Sequence, residues 1–83
     1  MPELPITIDL QHPVTVGEET LERLVIKRRP KAKDLKAMDR HKGDVAKTCA
    51  LIACLAEIPD SWVEQLDSSD FTRAAEVVGD FLS

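Results

Sequence analysis

LVIKRRPKAKDLKAMDRHKG, residues 24–43, decides the fold, because the chain changes its periodicity inside it. Leu24-Val25-Ile26 reads as a strand, with Leu24 and Ile26 on one face and Val25 on the other. Pro30 ends that strand, since it cannot donate a ladder hydrogen bond and it disfavours helical geometry at Arg29. From Lys33 to His41 the spacing switches: Leu35 and Met38 lie three apart, with Ala32 one turn earlier, and give a narrow apolar stripe on a short charged helix. Gly43 breaks that helix.

Upstream, Ile6, Ile8 and Leu10 of ITIDL alternate with Thr7 and Asp9, which is the period of a half-buried strand over residues 6–10. Gly17 in VTVGEET punctuates a turn, so TLERLVIKR returns as the second strand of a hairpin. A two-stranded ribbon is marginal alone, and one of its faces is expected on the helices that follow.

Downstream, Asp44 is placed to cap a helix in which Val45, Cys49, Ile52 and Ala56 fall one above another. Being apolar over most of its circumference, this segment should be the central helix, stopping at Ile58 before Pro59. Pro59-Asp60-Ser61 suits the start of a short helix carrying Trp62, Val63 and Leu66. Asp67 or Ser68 then caps a last helix, with Phe71, Ala74, Ala75, Val78, Phe81 and Leu82 at three- and four-residue intervals. Gly79 weakens it. The expected fold class is α+β, an N-terminal β-hairpin followed by three or four short α-helices, in one domain spanning residues 1–83.

An 83-residue chain buries only a little over 60% of its unfolded surface, roughly, so its core must be thin. With 43% hydrophobic and 31% charged residues it is too apolar for disorder. The N-terminus shows no basic start followed by an apolar run, and no window approaches the roughly 18 apolar residues of a membrane span, which points to the cytoplasm. Cys49 and Cys54, five apart, would lie about 140° apart around a helix, too far to clasp one metal. They read as small core residues, and His12 and His41 are isolated from them. No cofactor or metal is expected.

No catalytic constellation is present: no phosphate-cradling glycine loop, no nucleophile elbow and no HExxH. Asp67 and Asp70 have the spacing of a helix cap followed by a first-turn acid, which accounts for them without catalysis. Charge, by contrast, is strongly blocked. Residues 1–22 carry five acids and no Lys or Arg, residues 23–47 carry ten bases against three acids, and residues 48–83 carry one base against seven acids. The basic segment 23–47 raises a nucleic-acid-binding regulator as an alternative, one whose binding would fall steeply with salt. The isoelectric point near 5.0, the acidic flanks and the lack of an aromatic residue between Lys27 and Lys47 speak against it. Around the proline turn burial is not expected, and Lys27, Arg28, Arg29, Lys31 and Lys33 should matter little for stability.

The order of parts resembles the phage tail assembly chaperone family, the small E-type proteins of contractile-tailed phages and prophages. ITIDL, a hairpin return ending in IKRRPKAKDLKAM, the apolar CALIACLAEIP, then WVEQLDSSDF and VVGDFLS carry the likeness over nearly the whole chain. Its best signature is a strand running into Arg28-Arg29-Pro30 with Asp34-Leu35 a few residues on, and Asp70-Phe71 at the far end. The resemblance implies a non-enzymatic assembly factor that keeps the long tape measure protein soluble and helps recruit tail tube subunits. It would act in the host cytoplasm and not remain in the virion. Such a partner, long, helical and partly apolar, calls for a modest apolar surface with charged edges. Candidate contacts are Leu35, Met38, Trp62 and Phe71 for apolar cover, with Arg28, Arg29 and Lys33 as the charged rim; Trp62 and Phe71 suit core packing as well. Self-association is left open.

Overall fold

The computed structural model describes residues 4–82. Two strands, β1 (Ile6–Val16) and β2 (Glu19–Ile26), form an antiparallel hairpin, and four helices follow: α1 (Ala32–Met38), α2 (Asp44–Ala56), α3 (Asp60–Val63) and α4 (Ser68–Leu82). The α+β expectation of a hairpin and then short helices holds. Gly17 opens the two-residue turn with φ 64°, the positive φ that a II′ connection needs at its first position.

β1 runs well past the expected end at Leu10. Ile6 pairs with Ile26 and Ile8 with Leu24, but between Asp9 and Val14 the register slips: five steps along β1 answer two along β2, from Arg23 to Leu21. The surplus residues form a bulge, which accommodates Pro13 on this edge strand. It also frees backbone donors. Asp70, on the first turn of α4, accepts the N–H groups of Gln11 and His12 on its two carboxylate oxygens, each at 3.0 Å. Arg73 adds a donor to the Asp9 carbonyl. Through these bonds α4 covers the outer edge of β1 and makes two irregular strand pieces one strand.

Ile8, Leu10, Val14, Leu24 and Ile26 point from the hairpin into a core completed by Leu51, Ile52, Leu55, Val63, Leu66, Ala74, Val78 and Phe81. α2 is central, as its composition requires, and packs on α1, α3, α4 and β2. Its buried face differs from the expected one, however: Ala50, Leu51, Ile52, Ala53, Leu55 and Ala56 are inside, Cys49 is half-buried, and Val45 stands 66% exposed. The first turn of α2 overhangs the core, so apolar spacing there reports no burial.

The helix ends also differ in detail. Gly43, with φ 90°, is the N-cap of α2 and Asp44 its first residue, a first-turn acid and not the cap. α2 stops two residues before Ile58, because Glu57 turns left-handed (φ 58°, ψ 45°) and Ile58 donates back to the Ala53 carbonyl at 3.1 Å. α1 is shorter than expected, ending at Met38. Asp67 caps α4 as anticipated, accepting from the Ser69 N–H at 3.0 Å.

Candidate partner-binding surface

The link between β2 and α1 is built around one ion pair. Arg28 donates from Nη1 to Asp34 Oδ2 at 2.7 Å and from Nη2 to Oδ1 at 3.0 Å, a bidentate fork on a carboxylate only 3% exposed. Asp34 also accepts the N–H of Lys31 at 2.7 Å, closing the first turn of α1. Arg28 Nη2 reaches the Cys54 carbonyl at 3.4 Å, tying the bend to α2. The Arg28 guanidinium holds the Asp34 carboxyl down at about 2 against an ordinary 3.8, with the Lys31 N–H helping and burial opposing. The expectation of a uniformly solvated bend therefore fails at Arg28: its charge is spent inside the molecule. The other bases do face outward, with Lys27 in an exposed pair with Glu57 at 3.5 Å and the Arg29 guanidinium 5.4 Å from the centre of the Phe81 ring.

Held by this pair, α1 turns Ala37 and Met38 inward and leaves Leu35 44% exposed, flanked by the exposed side chains of Lys33 and Lys36. Met38 packs against the core, as does Phe71 from the first turn of α4. Trp62 is half-buried on α3. Arg28, Lys33, Leu35 and Met38 thus belong to one small unit, and Arg29 lies on its edge. Trp62 and Phe71 sit on separate helices.

A second feature escaped the sequence reading. Between the start of α2 and α3 lies a cleft of about 480 Å³, with Val45, Ala46 and Cys49 among its lining residues. Asp44, Asp60 and Glu64 are its acidic lining residues, and His41, Lys42 and Gly43 line it as well. Burial pushes the Cys49 thiol up, and the nearby Glu64 and Asp60 charges push it the same way. The available signal was Val45, an apolar residue one position inside a helix start, where no core exists to receive it.

A family model described as phage tail assembly chaperone proteins, E, or 41 or 14, matches residues 7–83. The chain belongs to the phage tail assembly chaperone family. No curated protein and no solved structure matches it. The match takes in the whole β2–α1 unit and the cleft of this chaperone. The hydrogen bonds give the Arg-Arg-Pro and Asp-Leu order a physical cause: Arg28 and Asp34 are the two halves of the bidentate fork, and Pro30 lies in the link between them. Among the described residues of the chaperone, no group of three or more His, Cys, Asp or Glu side chains is placed to hold a metal ion, and no helix is long and apolar enough to cross a membrane.

Proposed function

We propose that this chaperone binds the tape measure protein and so assists tail tube assembly, without catalysis, in the host cytoplasm and without staying in the finished virion. The observation that carries the reading is Leu35, a large apolar side chain held 44% exposed between lysines on a helix whose position an internal ion pair fixes. Such a face suits an apolar stripe with acidic neighbours on a partner helix. Leu35 would supply the contact area, and Lys33 and Arg29 would steer and orient the approach. Arg28 would act one step back, holding α1 in place through Asp34. Met38 would back Leu35 from the core side. Trp62 and Phe71 would offer partly exposed apolar edges on α3 and α4, and the tail tube protein is a further partner.

The test is co-expression of the neighbouring tape measure protein with wild type and with Leu35→Glu. Wild type should raise the soluble fraction of the tape measure protein. Leu35→Glu should keep its melting temperature within a few degrees and bind about tenfold more weakly, the equivalent of about 1.4 kcal/mol. A tape measure protein equally soluble with and without the chaperone would end the reading.

A further inference from the structure

We propose that the cleft between the start of α2 and α3 is a docking site for a helical segment of a different protein, one that sets an apolar side chain among basic residues spaced a turn apart. Val45, at 66%, is the most exposed of the large hydrophobic residues described, above Leu82 at 47% and Leu35 at 44%. A single such residue is ordinary on a protein surface. Val45 is not single, however: Ala46 and Cys49, both half-buried, line the same cleft, and Cys49 follows Val45 by one turn of α2. A cleft between two helices, lined by apolar side chains a turn apart, suits the side chains of a third helix.

Charge decides which helix. Asp60 and Glu64 also lie one turn apart, Glu64 donating its N–H to the Asp60 carbonyl at 3.1 Å, and Asp44 adds a third carboxylate from α2. Lys42 supplies one ammonium group against these three. Elsewhere the fold pairs acids with bases: Asp34 with Arg28, Glu57 with Lys27, Asp70 with Arg73. Among the described residues no ion pair involves Asp44, Asp60 or Glu64. Burial raises the Cys49 thiol, and the Glu64 and Asp60 charges raise it further, which fits carboxylates close to the apolar lining. The cleft thus combines an exposed apolar surface with net negative charge, and its complement is apolar and basic.

The face of α1 is the opposite case, with Leu35 between lysines, and none of its residues lines the cleft. A segment that fits one surface is repelled by the other, so the two take different segments and can be filled together. The inference does not rest on the role given to α1, since a basic probe is repelled there.

Fluorescence anisotropy of labelled alanine-based helical peptides at about 50 mM salt tests it. The probe carries one leucine with a lysine one turn to either side, and a second peptide replaces the leucine by alanine. Wild type should bind the leucine peptide saturably, about tenfold more tightly than the alanine peptide, and more weakly as salt is added. Val45→Lys and Glu64→Lys, both at exposed positions, should each weaken that binding about tenfold or more while far-UV circular dichroism stays unchanged. Should either variant lose its helical signal, Val45→Ser or Glu64→Gln takes its place. The proposal is overturned by a flat titration up to about 1 mM wild type. It is overturned equally by leucine and alanine peptides bound alike, which would make the acids a general attractor of cations, or by binding that neither variant alters, which would place the peptide elsewhere.

Discussion

Asp34 and Asp70 are both buried, at 3% and 0% exposure, yet they solve different problems. Asp70 serves the backbone, satisfying donors that a bulge has freed. Asp34 serves a cation, and losing that cation leaves a buried carboxylate with the Lys31 N–H as its remaining strong donor. Arg28→Ala should therefore destabilise the fold by about 2–4 kcal/mol, toward the lower side for a guanidinium that is partly solvated. The pH dependence has a definite sign. The folded-state pKa of Asp34 is depressed from 3.8 to about 2, so its contribution is complete above the unfolded value and is lost as pH falls from about 4 toward 2. Urea titrations of both proteins should show a gap at pH 7 that narrows through this window, whereas equal midpoints at pH 7 would refute the role given to Arg28. The two aspartates also differ in legibility. Asp34 was within reach of the sequence, lying three residues after the cap position Lys31 and six after Arg28. Asp70 was not, because its donors are 59 and 58 residues away and its local spacing is that of an ordinary first-turn acid.

At the scale of elements, period alone found the hairpin, the central helix and α4, because a buried face must repeat with the geometry of its backbone. It placed β1 too short, since Gln11-His12-Pro13 breaks the alternation and the repair comes from another element. It also counted Val45 as core, since periodicity records a stripe but not where the neighbouring element ends. Gly79 is the converse case, a local weakness visible in sequence whose remedy the structure supplies. It lies inside α4 on the exposed side, and a Cβ built there meets nothing within 4 Å. Gly79→Ala should add about 0.5–1 kcal/mol through helix propensity and a less flexible unfolded chain. For a domain of this size that is a rise of roughly 2–8 °C in melting temperature, read by far-UV circular dichroism. A fall would mean that the glycine serves a contact with another molecule or a conformation other than this one.

Over the whole molecule, the charge blocks of the sequence become partly neutralised surfaces, and this bears on the nucleic-acid alternative. Of the bases in segment 23–47, Arg28 is committed to Asp34 and Lys27 stands beside Glu57. The exposed lysines of α1, Lys33 and Lys36, stand on either side of Leu35 in the sequence of a single helix of seven residues, with no aromatic ring on that helix for a base to stack on. The blocks were legible as counts, but which charges are spent internally depends on the path of the link between β2 and α1 and on the end of α2, and counting cannot reveal either. Non-specific binders of polyanions reach dissociation constants of about 10⁻⁴–10⁻⁶ M even at physiological salt and bind far more tightly at lower salt. Here the eight other bases of the segment stand in the sequence between two net-negative flanks. Fluorescence anisotropy of labelled single-stranded and duplex DNA and RNA at about 50 mM salt, the condition most favourable to binding, should therefore stay flat up to about 100 μM protein. Saturable binding that weakens steeply between 50 and 200 mM salt, roughly, would show that the lysines of α1 meet phosphates, and it would shift the role of this face from protein capture to nucleic acid.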